Sequence, residues 1–262
     1  MSMTLSASLV APPALRPAQA GSAHAHMISV VMPAYNGTEF LDAALASIEA
    51  QRASDLEILV VDDGSPAEIR PPAFARCFRQ PHRGASAARN KGIRESRGRF
   101  IAFLDIDDLW APGHLTRLQS ALAAHPEAGI AQGRMRQLSG DRVSGAYRMP
   151  YIGSCLFRRE VFDICGGFDE TMHLGEDYDL IFRCWEKDIV KIHLDDVSLI
   201  YRRHAVNTTR RNHNLAHVIV VKRRLERIRA GLADPAQKRR FRFQDYIGQT
   251  EGARAWTRWS AS

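Results

Sequence analysis

The chain has 262 residues, of which 45% are hydrophobic and 25% charged. That is the balance of a folded domain with a sizeable core, and it excludes a collagen-like chain, a wholly disordered chain and a disulfide-stapled miniprotein. The net charge of +7 is unevenly placed: residues 202–262 hold 15 Lys+Arg against 4 Asp+Glu, and the other 201 hold 21 against 25. A mildly acidic body therefore carries a strongly basic tail.

The first 26 residues are rich in Ala, Pro and Ser and read as a disordered leader. They lack the basic start and long apolar stretch of a secretory signal. Residues 27–32 (MISVVM) form a β-branched apolar run ended by Pro33, a buried-strand signal. A helix is expected from Glu39 to Gln51, capped by Thr38 or Asn36, with Phe40, Leu41, Ala44, Leu45 and Ile48 on one face. Residues 56–61 (LEILVV) are a second strand, and Cys77-Phe78 belong to a third. Gly84 precedes a helix from Ala85 to Ser96, and residues 100–104 (FIAFL) form another buried strand. Pro112 opens a helix to Ala124.

Strand and helix thus alternate through βαβ units, which implies an α/β fold with a mainly parallel sheet and helices on both faces. Later come a strand over Ser154–Phe157, a short helix over Arg159–Ile164, a helix from Glu176 to Lys187, and closing strands at Val190–His193 and Val197–Tyr201. No run is apolar and long enough to span a bilayer. The four cysteines, none in a C-x-x-C pair, read as reduced thiols of a cytoplasmic protein.

Three acidic clusters carry the chemistry: Asp62-Asp63, Asp105/Asp107/Asp108 and Glu176-Asp177/Asp179. The first two directly follow strands, where ligands of parallel sheets bind. Aspartates there offer hard oxygen ligands suited to Mg²⁺ or Mn²⁺. The plain alternative is that Asp forms turns and caps helices in such loops.

The ordered segments VVMPAYNGTEFLDAALASIEAQ, LEILVVDDGS, GASAARNKGI and GRFIAFLDIDDLW, then GGFDE, GEDYDLIFR and YRRH, resemble the family 2 glycosyltransferases over about residues 27–205. The resemblance implies a GT-A fold and transfer of a sugar, with inversion, from a nucleotide-diphosphate donor. It divides the chain into a leader (1–26), a catalytic domain (27–205) and a basic helical extension (206–262). Within the catalytic domain, 27–130 would hold the nucleotide sugar and 131–205 the acceptor.

By resemblance, Pro33 and Tyr35 line the nucleobase pocket, and Asp63 accepts a hydrogen bond from a uracil-type imide, favouring a UDP-sugar. Asp62 could equally serve the turn before Gly64. Gly84 and Arg89 match the segment that approaches base, ribose and phosphates, with Asn90-Lys91 capping that helix. Asp107 lies near ribose or metal and Asp108 ligates the metal, while Asp105 touches ribose or anchors the loop. Asp177 matches the base that deprotonates the acceptor hydroxyl, and Glu176 the residue that orients it. Acids at a helix start also suit the macrodipole without any catalytic role. His204 matches a histidine that reaches metal or diphosphate. Trp110 and Trp185 could stack on sugar, with core packing as the alternative.

In the tail, Leu215, Val218, Val221, Leu225, Ile228 and Leu232 recur at helical spacing among Lys222, Arg223, Arg224, Arg227 and Arg229. A docked helix with a solvated basic face is expected. A helix on an anionic membrane near a lipid-linked acceptor, or one paired with a second copy, is the alternative. The expected partners are a nucleotide-sugar donor and a glycan or lipid-linked acceptor in cell-surface polysaccharide or glycoconjugate synthesis, with no nucleic acid. A metal-dependent nucleotidyltransferase is disfavoured, because residues 33–38 (PAYNGT) lack the Lys or Arg of a triphosphate loop. A nucleic-acid protein acting through the tail would need a binding motif that the charge does not bring.

Overall fold

The apolar runs become adjacent strands because each must bury both faces. In the computed structural model, β1 (Ile28–Ala34) pairs in parallel with β2 (Leu56–Asp62) and with β4 (Phe100–Phe103), and β2 pairs in parallel with β3 (Ala75–Arg79). The structure describes residues 26–53, 55–204, 213–234, 236–237, 239–248 and 256–258. Apart from His26, the expected leader lies outside the described residues.

β1 runs through Pro33, where the sequence suggested an end. The geometry explains why this is tolerated. The Val31 carbonyl accepts from Leu104 N on the β4 side, so Pro33, two residues on, faces that side too. The β4 ladder ends at Val31–Phe103, so the missing N–H of Pro33 breaks no bond.

Helices α1 (Thr38–Glu49), α2 (Ala85–Glu95) and α3 (His114–Ala124) follow β1, β3 and β5 (Leu109–Trp110). α1 is not capped by a side chain of Asn36 or Thr38. Asn36 and Gly37 both take left-handed backbone, at φ 56° and 70°, and turn the chain into the helix. The second half of the sheet is mixed. β8 (Cys155–Arg158) runs antiparallel to β4 and to β6 (Ala128–Ser139), which forms a hairpin with β7 (Arg142–Ser144). The two expected closing strands are one, β9 (Val190–Arg202), parallel to β6 with three register irregularities and antiparallel to β5.

Alternation along the strands divides the core. Val30, Met32, Phe100 and Ala102 pack with α1 and α3 on one face. Val31, Ile101, Phe103 and Phe157 pack on the other with α4 (Glu160–Cys165) and α5 (Glu176–Glu186). α2 lies against β1 at Gly92, where a Cβ would come within 2.2 Å of the Val31 side chain, so only glycine admits this approach.

The tail joins the body. In α7 (Phe243–Ile247), Tyr246 and Ile247 are buried in the second core face, and Trp185 Nε1 donates to Phe241 O at 2.7 Å. β10 (Trp256–Arg258) pairs antiparallel with β7. α6 (His213–Arg229) docks opposite to expectation. Arg224 and Arg227 face the domain and meet the buried Glu186 and Asp179, while Val218, Val221 and Leu225 stand exposed. Trp110 and Trp185 are packing residues: Trp110 is buried with its Nε1 donating to Gly153 O, and Trp185 packs on Phe182 and Phe243. Among the described residues, no helix is long and apolar enough to cross a membrane.

Candidate active site

Three groups of side chains meet along the carboxyl ends of β1, β2 and β4. The first surrounds Asp63, which follows β2 and is fixed by its N–H to Ala34 O. Its carboxylate is buried and fully used. Oδ1 accepts from Gln80 Nε2 at 2.8 Å and Arg83 N at 2.9 Å, and Oδ2 from Gly84 N at 2.7 Å. His82 Nδ1 lies 2.8 Å from Oδ2. The His82 ring also stacks on the half-exposed Tyr35, with centroids 4.1 Å apart. Gly64, at φ 78°, lets the two loops close, since a Cβ there would sit 2.7 Å from His82 N. Asp62 serves the turn: Oδ1 accepts from Ser65 N, and Oδ2 pairs with Arg79 at 2.9 Å.

The second group centres on Arg89, one turn and more along α2 from Gly84 and 3% exposed. Its Nη2 donates to Asp105 at 2.8 Å, while Nη1 donates to Glu176 at 2.9 Å and lies 3.5 Å from Asp177. The residue assigned to the donor thus joins the metal motif to the acids of α5, and its Nε is buried without a hydrogen-bond partner. Asp105 is tied to α2 through Arg89. Asn90 does not cap α2. It clasps the neighbouring turn, donating to Phe168 O and Glu170 and accepting from Phe168 N. Gly175, at φ 79°, turns the chain into α5, so that Glu176 and Asp177 fall on its first turn. Burial first, then the Glu176 and Asp105 charges, push the Asp177 carboxyl up to about 7 against the opposing pull of Arg89.

The third group holds Asp107, Asp108 and His204. Ligand atoms of Asp105, Asp107 and Asp108 lie within 4.8 Å of one another. His204, just past β9, brings Nε2 to 2.8 Å from Asp107 Oδ2. Asp108 is 1% exposed, its Oδ1 accepts from Arg202 N at 3.0 Å, and its Oδ2 is buried without a hydrogen-bond partner. Burial, then the Asp107 and Asp105 charges, hold the Asp108 carboxyl well above the ordinary carboxylate range, and burial raises Asp107 too. An orphaned carboxylate oxygen among repelling carboxylates fits a hard divalent cation, which would supply both the missing partner and the compensating charge. The donor set, oxygens with one imidazole, suits Mn²⁺ or Mg²⁺.

Besides Gln80, His82 and Arg83 around Asp63, two further residues of this crevice were not singled out from the sequence. Arg202 donates through Nε to Asp107 O and lies over the Phe40 ring at 4.9 Å, tying the aspartate loop to β9. Its signal was its place in the YRRH segment. Tyr151, whose hydroxyl is 3.5 Å from Asp105 Oδ2, had no sequence signal.

A strand-end crevice lined by acids, on a half-parallel and half-mixed sheet, defines a GT-A protein. Two solved structures share the fold. The mannosyltransferase PcManGT of Pyrobaculum calidifontis, in complex with GDP-Man and Mn²⁺, aligns with TM-score 0.59 and 23% identity, over 86% of this chain and 68% of its own. Staphylococcus aureus TarS in complex with UDP aligns with TM-score 0.57 and 18% identity, over 68% and 60%.

The family model for glycosyl transferase family 2 matches residues 29–168, and the chain belongs to that family. An uncharacterized glycosyltransferase of Bacillus subtilis, EpsJ, is 29% identical over 217 residues, 70% of this chain and 63% of its own. The pre-mycofactocin glycosyltransferase of Mycobacterium tuberculosis is 30% identical over 206 residues, 68% of this chain and 43% of its own. The chain therefore spans less than two thirds of the length of these relatives.

Proposed function

We propose that the protein transfers a sugar, with inversion, from a nucleotide-diphosphate donor to a hydroxyl of a glycan or lipid-linked acceptor, in polysaccharide or glycoconjugate synthesis. The observation that carries this reading is the Arg89 guanidinium, which joins Asp105 of the metal motif to Glu176 and Asp177 of α5 in one crevice. Residues 27–130 would hold the donor and 131–205 the acceptor.

Tyr35 and Pro33 offer the base a ring and an apolar wall. Asp63 offers an acceptor to an imide N–H once His82 or Gln80 gives up its bond, which favours a UDP-sugar. TarS is described with UDP and UDP-GlcNAc, which supports uridine. PcManGT is described with GDP-Man, so the fold alone does not choose the base. Asp107, Asp108 and His204 would hold the metal ion, which supplies positive charge to a departing diphosphate.

The acceptor hydroxyl gives its proton to Asp177, whose carboxyl, pushed up to about 7, matches a base working near neutral pH. Glu176 orients the acceptor, and Arg89 holds both acids in place. Four free cysteines support a cytoplasmic setting. The test is calorimetric titration of UDP and GDP, with and without Mn²⁺, into the wild type and Asp108→Asn. Metal-dependent UDP binding that Asp108→Asn abolishes is expected. Metal-independent binding, unchanged in the variant, would remove the metal assignment.

A further inference from the structure

Helix α6 meets the domain through charge. Arg227 contacts Asp179 at 2.7 Å and Glu186 at 3.1 Å, Arg224 contacts Glu186 at 3.3 Å, and Arg223 pairs with Asp169 at 3.4 Å. Arg224 also lies over the rings of Phe182 and Trp185. Among the described side chains of α6, Val220 is the fully buried aliphatic one, at 4%, packing with Met172 and Phe182 and beside the partly buried Ile219. The helix is closed at its end by Gly231 N–H to Ile228 O and Leu232 N–H to Arg227 O.

This docking fixes an apolar row outward. Val218, Val221 and Leu225, three and four residues apart, are 64%, 55% and 47% exposed, and Leu232 beyond the turn is 69% exposed. A helix whose only surroundings are water and its own domain turns the opposite way, apolar stripe in and charges out. The row is flanked by Lys222, whose side chain is 76% exposed, and by the exposed Arg229. The acid on this stretch, Glu226, pairs with Arg223 at 3.0 Å and at 3.9 Å with Lys222, whose ammonium stays largely in solvent.

The flanking charge selects the occupant. A second copy packed on the same row would set Lys222 and Arg229 against their own kind, since the positions beside a helical seam face each other in a pair. An anionic surface attracts them instead. We infer that the outward face of α6 is a membrane-binding surface, with Val218, Val221, Leu225 and Leu232 entering the headgroup region of an anionic bilayer and Lys222 and Arg229 engaging its phosphates. The helix is already folded and held by its inward arginines, so binding carries no cost of helix formation.

The test is co-sedimentation of the full chain with vesicles of phosphatidylcholine mixed with phosphatidylglycerol, and of phosphatidylcholine alone, at low and high salt, with light scattering for mass. The wild type is expected to bind the mixed vesicles, less at high salt. Val221→Ser with Leu225→Ser should lower partitioning roughly tenfold, and Lys222→Glu with Arg229→Glu by at least about as much. Both variants should keep the thermal midpoint and donor turnover in solution, since these side chains touch neither the core nor the crevice. No binding to mixed vesicles, equal binding by the serine variant, or equal binding to neutral vesicles would overturn the inference. So would a wild-type dimer that the serine variant dissolves, which would assign the face to a second copy.

Discussion

Two regions of this molecule bury carboxylates, and they treat them in opposite ways. Between α5 and α6, Asp179 and Glu186 are met by Arg183, Arg224 and Arg227, with cations in excess. In the crevice, Asp105, Glu176 and Asp177 share Arg89, while Asp107 meets His204 and Asp108 the Arg202 backbone. The outcome is visible in the acids themselves: burial and mutual repulsion push Asp108 and Asp177 upward. The paired interface is a structural joint, and the crevice is a charge deficit that a cation and a reacting proton would relieve.

The comparison breaks most sharply at Asp177. Asp177→Asn keeps shape but removes the proton acceptor, so turnover should fall by about 10²–10⁴-fold with UDP affinity unchanged, read by product release and calorimetry. Near-normal turnover would return Asp177 to a purely structural role.

At the joint, Arg227→Ala removes the arginine that bridges Asp179 and Glu186, leaving Arg183 on the one and Arg224 on the other, and should cost up to about 3 kcal/mol of stability, measured by denaturant unfolding. A loss under about 0.5 kcal/mol would mean that the joint is a surface pair.

Metal should act on the crevice alone. Mn²⁺ at about 100 times its Kd adds about 2.7 kcal/mol, seen as a rise in thermal midpoint. That rise should vanish in Asp108→Asn and persist in Arg227→Ala.

The smallest effect is the pH dependence of the Asp177 variant. The folded pKa of Asp177, about 7, lies above its unfolded value, so its contribution to stability is full below the unfolded pKa and is lost as pH rises through 7. Asp177→Asn should therefore gain stability on wild type progressively between about pH 4 and pH 7, be more stable at pH 8, and match it only below about pH 4. In wild type the same titration should make turnover fall as pH drops through about 7.

Much of the parallel half was legible in the sequence. A run such as LEILVV must be buried on both faces, and the acids after it must then lie at the strand's carboxyl end. β6 and the continuity of β9 between its two expected strands were not legible, because AGIAQGRMRQLS and VKIHLDDVSLIYR mix polar and apolar residues, and their pairing is set by register with each other. At the site, the acids were found by position. The Asp63 carboxylate, however, is saturated by Gln80, His82, Arg83 and Gly84, a loop whose approach needs Gly64, and no spacing rule encodes that contact.

The sequence by itself determined the strand-end acid clusters and the faces of each helix, because periodicity and turn chemistry are local. Only the tertiary structure decided which charges meet. It set Arg89, expected at the donor, against three carboxylates 16 to 88 residues away in the chain. It also chose which face of α6 docks, because the buried acids of α5 need the cations of Arg224 and Arg227, beside the contact of Val220 with Met172 and Phe182. Periodicity states which side chains share a face, and the electrostatics of the partner surface states which face is used.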